Sequence, residues 1–323
     1  MPASTSARPA ITEFRGNLPQ LAAVIQSAWA ANKEVPLLYT EPFLRSAFEY
    51  PGTDLRLAPS IYSGDDLLAF VAGFPRRFQW NGRQLNLALN TFLTAAAGTR
   101  GSGYGLALWG AFQERARAAG FEGSLNFCVE GDDMNRMAPA AARIFRLNTQ
   151  SIFSIEYLVR FLRPAEDLEP APETDIDLFL ELTSALPKRV PFARIWTQEE
   201  AIWQCRDRSG TIALSACHAG RRGMLTGYIM QVATTPPANT LLIEDILWGD
   251  LEDTERKELL HRFLRIAASR GAQSASCPVL NYAPLEPFTA SGFRRSKRVL
   301  HTYLTTWNGA EPEALSSVYL DVF

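Results

Sequence analysis

The chain has 323 residues, a formal net charge of −2 and 47% hydrophobic residues, a composition typical of soluble globular proteins with two domains. The balanced charge argues against nucleic-acid binding, which leaves a strongly basic footprint, and no apolar run approaches the ~20 residues of a membrane span. The four cysteines have no paired spacing, so we expect neither disulfides nor a metal site. Residues 1–10 are polar and lack the hydrophobic core of a signal sequence, so we expect a cytoplasmic protein.

The first half of the chain alternates strand and helix patterns around one hairpin. Asn81-Gly82 separates two β-prone segments and is a strong signal for a two-residue turn. Thr40 and Pro42 are typical of the first residues of a helix. The predicted elements are a strand over 11–15, helices over 18–31 and 40–50, strands over 55–62, 67–80 and 85–95, a helix over 106–119, a strand over 123–130, a helix over 135–145 and a strand over 152–161.

A glycine-rich turn, Thr99-Arg-Gly-Ser-Gly-Tyr-Gly105, joins the strand over 85–95 to the helix over 106–119. Unpaired N–H groups and the dipole at a helix N-terminus favour an anion, and glycines let a pyrophosphate approach the backbone closely. Arg100 adds a guanidinium that suits phosphate oxygens. The sequence therefore predicts a phosphate site; the alternative is a turn that binds nothing. The predicted site consists of Arg100, Gly101, Ser102, Gly103, Tyr104 and Gly105.

The second half repeats this order of elements after an acidic, proline-rich linker over 164–176. Its loop over 249–256, which corresponds to the glycine turn, carries four carboxylates, so we expect it to repel a pyrophosphate. The predicted elements are helices over 178–186 and 197–205, strands over 211–219, 223–233 and 240–248, a helix over 253–272, a strand over 273–279, a helix over 285–293 and a strand over 297–307.

The hairpin, the Arg-x-x-Gly-x-Gly turn and the following helix resemble the pyrophosphate loop of the GNAT acyltransferases, and the order of elements fits that family across residues 11–161. Segment 70–77 with Asn90-Thr-Phe-Leu93 is similar to the N-myristoyltransferase branch. The resemblance implies a mixed α/β fold of two GNAT-like domains, each a mostly antiparallel sheet flanked by helices. The domains would span 11–163, which binds the acyl donor, and 177–308, which is degenerate, with tails over 1–10 and 309–323.

The resemblance also implies an acyl-coenzyme A donor, most simply acetyl-coenzyme A, and direct acyl transfer to a primary amine of a small molecule. Besides the loop, the implied donor-binding residues are Asn135 and a bulged fourth strand near Thr94, Ala95 and Ala96, whose backbone amide would contact the thioester carbonyl. Many family members carry a tyrosine that protonates the departing thiolate. This chain has Ala142 at that position, so either Tyr104, Cys128 or water would substitute or no general acid is needed.

The candidates for the remaining catalytic groups are carboxylates and polar strand residues. Each has a purely structural alternative. Glu130 could be a solvated residue at a strand end, and Glu244 or Asp245 could form an ion pair with an arginine. Asn90 could be a hydrogen-bonded core amide, and Tyr104 could pack against the start of the helix. Strand alternation predicts that one of Glu244 and Asp245 faces inward. In the myristoyltransferases the chain-terminal carboxylate is the base, which would here be that of Phe323; the alternative for 315–323 is a strand edge or a dimer contact.

Three other functions fit the same sequence. One is an N-acyltransferase that uses a long-chain donor or an acyl carrier protein. Another is a non-catalytic sensor or scaffold that binds acyl-coenzyme A, which the missing tyrosine and the degenerate second copy favour. The last is decarboxylation of an acyl-coenzyme A on the same fold.

Overall fold

The computed structural model describes residues 10–29, 37–99, 101–165, 174–307 and 313–322. Within these ranges 14 strands form one mostly antiparallel sheet, with eight α-helices packed around it. None of these helices is long and apolar enough to cross a membrane. The strands are β1 (Ile11–Glu13), β2 (Leu37–Leu38), β3 (Pro59–Ser63), β4 (Asp66–Trp80), β5 (Arg83–Ala95), β6 (Gly123–Val129), β7 (Asn148–Phe161), β8 (Phe192–Ile195), β9 (Thr211–His218), β10 (Arg221–Val232), β11 (Ala238–Leu247), β12 (Ser274–Val279), β13 (Arg294–Thr306) and β14 (Val318–Tyr319). The helices are α1 (Leu18–Trp29), α2 (Glu41–Phe48), α3 (Tyr104–Ala118), α4 (Asp133–Phe145), α5 (Ile176–Ser184), α6 (Gln198–Ile202), α7 (Asp253–Ser269) and α8 (Glu286–Ala290).

The local signals in the first half produce the structures they predict. Thr40 caps α2, with its side chain accepting the Phe43 N–H at 3.5 Å. Asn81 and Gly82 both have positive φ, 47° and 84°, as the two-residue turn between β4 and β5 requires. The strand predicted over 55–62 starts later, because Asp54 caps a 3₁₀ turn at Leu55–Leu57.

Parallel pairing opens a gap in each half of the sheet. β5 pairs in parallel with β6 only from Leu87 to Asn90, opposite Gly123 to Asn126. β5 continues to Ala95, so its last residues have no strand beside them on that edge. β11 and β12 repeat this arrangement, with pairing confined to residues 240–242 and 274–276.

The two halves exchange their last strands. β13, from the second half, lies between β6 and β7 of the first half and is antiparallel to both. β7 in turn lies between β13 and β12, the strand of the second half that corresponds to β6. The two predicted sheets are therefore joined into one, and each half is completed by a strand from the other.

The two faces of β5 pack against different helices. Leu85, Leu87 and Leu89 lie in the main core with residues of α1 and α2. Ala88, on the other face, packs in a smaller core with Leu108 of α3. Alternation therefore places Asn90 on the α3 face, at the point where β5 and β6 separate.

The C-terminal segment is buried and includes a short strand. β14 pairs in parallel with β8, and β8 pairs with β4, so residues 318–321 lie inside the molecule. Neither β8 nor the two-residue strand β2 is predicted from the sequence. Phe323, the residue implied as the base, lies outside the described ranges.

Candidate functional site

The N-terminus of α3 presents uncapped backbone amides. Gly103, the N-cap, has φ of 78° and provides no side-chain cap, and the first turn contains no acidic residue. Gly101 also has positive φ, and a Cβ at Gly101, Gly103 or Gly105 would meet open space. The Tyr104 N–H donates to Ser102 Oγ at 3.3 Å. The N-cap provides no side-chain acceptor for the following amides of the first turn, which leaves them for an anion. Arg100 lies outside the described ranges and its part stays a prediction.

A bulge in β5 lies beside the gap. Thr91 pairs with Ala72 and Thr94 with Phe70, which leaves both Phe92 and Leu93 opposite the single residue between them on β4. Phe92 has φ of 58°, a conformation that costs a non-glycine residue about 1–3 kcal/mol and is typical of functional sites. The bulge releases backbone groups of these residues from the β4–β5 ladder.

The bulge at Phe92 and Leu93 lies just before the position predicted for it. The sequence places it near Thr94, Ala95 and Ala96, but the Ala96 N–H donates to Leu68 O at 2.8 Å and is not available to a ligand. Ala95 packs against the α3-side core. The bulged residues are Phe92 and Leu93, and no glycine marks this bulge in the sequence.

Buried polar atoms without partners border the gap. Asn90 and Asn126 form the last pair of the β5–β6 ladder, each is 7% exposed, and neither Nδ2 has a hydrogen-bond partner. Thr94 Oγ1 is likewise buried and unpartnered. Such groups cost about 1–3 kcal/mol each when unsatisfied. Their concentration at one gap fits a polar ligand lying there. The hydrogen-bonded core amide considered for Asn90 is not realised at its Nδ2.

Asn135 on α4 is bound by a tyrosine from the exchanged strand. The Tyr303 hydroxyl of β13 donates to Asn135 Oδ1 at 2.6 Å, and its ring packs against Cys128 and Ala138. Burial raises the pKa of Tyr303, and burial also raises the pKa of Cys128 to about 12. A tyrosine hydroxyl thus lies beside α4 although residue 142 is alanine. The sequence offers no signal for it, because Tyr303 and Asn135 are 168 residues apart.

Two predicted catalytic residues lie in ordinary structural surroundings. Tyr104 is half-buried and packs against the core beneath α3. Glu130 is exposed at the end of β6, with its carboxylate 3.8 Å from His301 Nε2. The structure does not bring Glu130 into a buried environment with the asparagines of the gap.

Glu244 and Asp245 lie in a buried network of the second half. Asp245 pairs with Thr226, but Ile243 pairs with the next residue, Gly227, so Glu244 forms a bulge. Because of this bulge both carboxylates are buried, and the expectation from alternation that one faces inward is wrong. Arg208 pairs with Glu244 at 2.5 Å, as the structural alternative proposed. Gln204 Nε2 donates to both carboxylates, at 2.6 and 3.0 Å.

The network makes stability depend on pH. Burial raises the pKa of Glu244 to about 7, although the Arg208 charge opposes it. A carboxyl whose pKa is raised by folding contributes stability that is complete below its unfolded pKa of about 4.3 and is lost as the pH rises through its folded pKa. We expect the free energy of unfolding to fall between about pH 4 and pH 7, and the fall to be smaller in Glu244→Gln. Chemical denaturation at several pH values measures this, and equal slopes in the two proteins would exclude Glu244 as its source.

The corresponding positions of the second half are closed by its own side chains. The Glu252 carboxylate caps α7 in a capping box with Glu255, which in turn pairs with Arg221 at 2.6 Å. In the gap beyond the β11 bulge, the Ile246 N–H donates to the Tyr282 hydroxyl at 2.8 Å. An anion at α7 would meet carboxylates, and a ligand in this gap would have to displace Tyr282.

Comparison with known proteins places the fold. The sequence matches no known protein family and no curated protein. The structure is similar to that of Saccharomyces cerevisiae N-myristoyltransferase with bound myristoyl-CoA, with a TM-score of 0.73, 14% identity, and coverage of 95% of this chain and 86% of that one. A second structure of that enzyme with bound myristoyl-CoA has a TM-score of 0.72 and 14% identity, and the match covers 97% of this chain and 80% of that one.

The chain has a GNAT fold of the N-myristoyltransferase type. A GCN5-related N-acetyltransferase from Kribbella flavida is also similar, with a TM-score of 0.53, 15% identity, and coverage of 92% of this chain and 70% of that one. This confirms the predicted mixed α/β fold class and the predicted resemblance. At 14–15% identity, the likeness establishes the GNAT fold alone.

Proposed function

We propose that the chain is an acyl-coenzyme A-dependent N-acyltransferase whose donor site lies in the first half. The observation that carries this proposal is the open β5–β6 gap, in which the Phe92 bulge and the unpartnered amides of Asn90 and Asn126 lie together. The second half has the same strand arrangement, but its gap is occupied by Tyr282. One donor site per chain follows.

The residues of the gap fit the chemistry of coenzyme A from one end to the other. The amides at the start of α3, with Arg100, would hold the pyrophosphate. The pantetheine arm carries amide groups that suit Asn90 and Asn126, and Asn135 lies on the same side of the sheet. The backbone N–H groups of Phe92 and Leu93 would then stabilise the negative charge that develops on the thioester oxygen during attack.

The acceptor in this proposal is a primary amine of a small molecule, and the acyl group is most simply acetyl. A long-chain donor is the second candidate, favoured by the fold's likeness to N-myristoyltransferase with bound myristoyl-CoA. Attack on the thioester requires a neutral amine, and a carboxylate commonly takes the proton. Glu244 and Asp245 are held in the buried network, which leaves exposed Glu130 and the chain-terminal carboxylate as candidates for this role.

Asn90→Leu tests the donor site. We expect transfer from the preferred acyl-coenzyme A to fall 10- to 100-fold, while stability stays constant or rises by about 1–2 kcal/mol because an unsatisfied buried amide is removed. Asn86→Leu is the matched control, since Asn86 lies on the same face of β5 but is exposed and outside the gap. Thiol release with acetyl-, hexanoyl- and myristoyl-coenzyme A, together with thermal denaturation, provides both readouts.

Measurements of donor binding and of the reaction products separate the alternatives. Binding of acyl-coenzyme A without turnover on any amine would indicate a sensor, and loss of carbon dioxide from malonyl-coenzyme A would indicate a decarboxylase. Equal losses in Asn90→Leu and Asn86→Leu would remove Asn90 from the donor site.

A further inference from the structure

Arg298 lies in an irregular stretch of β13 without a partner for its charge. The register of β13 against β7 shifts between Arg295 and Val299, so residues 296–298 leave the regular ladder. The Arg298 Nε is buried and has no hydrogen-bond partner. Among the residues that the structure describes, no carboxylate forms an ion pair with Arg298, whereas nearby Arg295 pairs with Glu156.

The charge of Arg298 acts on two tyrosines beside the donor site, buried Tyr39 and half-buried Tyr157. Tyr157 follows Glu156, the residue of β7 that pairs with Val299, and Tyr39 lies just before α2. Burial raises the pKa of each tyrosine to about 12, and the charge of Arg298 opposes this in both. The Tyr39 ring lies 5.4 Å from the ring of Phe92 in the β5 bulge. Tyr39 therefore contacts the bulge whose amides are assigned to the thioester, and the same tyrosine is within reach of the Arg298 charge.

The phosphates of the donor are assigned to the other face of the sheet. Tyr39 and Phe92 belong to the main core, and Tyr157 packs against it. The start of α3 lies beside the smaller core on the opposite face, where Tyr104 packs. Arg298 is thus on the α1–α2 side of the sheet, across the gap from the predicted pyrophosphate site.

We propose that Arg298 binds a carboxylate of the acyl acceptor, so that the substrate carries both an amine and a carboxylate. The planar guanidinium fork matches a carboxylate with two parallel hydrogen bonds. A partly desolvated guanidinium without a counter-ion is unfavourable, and an anionic substrate would relieve that cost. This inference rests on the proposed function and specifies its substrate class.

The test compares amino carboxylates with their uncharged amides. Glycine, β-alanine, 4-aminobutanoate and 6-aminohexanoate are paired with the corresponding amino amides, in wild type, Arg298→Gln and Lys297→Gln. Lys297 is the matched control, because it is the exposed neighbour and loses the same charge. Thermal stabilisation by each compound, with and without coenzyme A, reports binding independently of transfer, and kcat and KM are measured for the compounds that are acylated.

We expect wild type to prefer the carboxylate of at least one pair tenfold or more. In Arg298→Gln this preference falls to twofold or less through a higher KM, while Lys297→Gln retains it. A wild type without any preference, or a preference that survives in Arg298→Gln, overturns the proposal.

Two further results distinguish a failure of the acceptor assignment from a failure of the proposed function. If Arg298→Gln instead abolishes a preference for succinyl- over acetyl-coenzyme A, the carboxylate belongs to the donor and the acceptor assignment is wrong. If coenzyme A does not bind but Arg298-dependent stabilisation by carboxylates persists, the proposed function fails while the carboxylate site stands.

Discussion

Asp321→Ala is expected to lower the free energy of unfolding by about 3–5 kcal/mol, because it removes the carboxylate from a buried ion pair. Asp321 pairs with Arg76 at 2.5 Å, with Arg194 Nε 3.6 Å away, and all three side chains are at most 3% exposed. Burial acts to raise the pKa of Asp321, but the charges of Arg76 and Arg194 outweigh it and hold the pKa below its usual value. Through Arg76 of β4 and Arg194 of β8, Asp321 also holds the C-terminal segment against these two strands.

Equilibrium denaturation in urea measures this effect. Asp65→Ala is the matched control, since Asp65 pairs with Arg15 on the surface, where both side chains are largely exposed. The control is expected to unfold at the wild-type midpoint. If both variants shift the midpoint equally, the buried pair does not anchor the end of the chain.

Gly105→Asp is expected to weaken coenzyme A binding at least tenfold without weakening the fold. Gly105 is the second residue of α3, and a side chain there enters open space in front of the uncapped amides. A carboxylate in the first turn interacts favourably with the helix dipole, but it repels a pyrophosphate at the same place. Calorimetric titration with coenzyme A and thermal denaturation measure the two effects.

Gly105→Ala provides the control for that substitution, because it adds the Cβ without the charge. It should bind coenzyme A within a few-fold of wild type. Unchanged affinity in Gly105→Asp would show that the α3 terminus is not the phosphate site, whatever occupies the β5–β6 gap.

The features predicted correctly from the sequence are those encoded by neighbouring residues. Asn81-Gly82 specifies its turn because both residues readily adopt positive φ, and Thr40 specifies a helix start through its own hydroxyl. The glycine turn before α3 is a local signal of the same kind. Such signals need no knowledge of which strands become neighbours.

The features missed depend on contacts between distant parts of the chain. β13 inserts between β6 and β7, and only that exchange brings Tyr303 to Asn135. The bulge at Glu244 interrupts a strand whose residues give no warning of irregularity, so alternation fails there. The bulge in β5 is expected from the resemblance, but its exact position at Phe92 depends on the pairing with β4. In the sequence, Arg298 is one of several basic residues close together, with Arg294, Arg295 and Lys297. Its lack of a partner becomes visible only when the neighbouring strands are in place.

The central claim is that the first half of this chain, and not the second, holds an acyl-coenzyme A. Calorimetric titration of the wild-type protein with coenzyme A tests it most directly, because it yields the stoichiometry together with the affinity. The account predicts one saturable site per chain, since Tyr282 and the α7 carboxylates close the second half. Absence of binding, or two equivalent sites per chain, would contradict it.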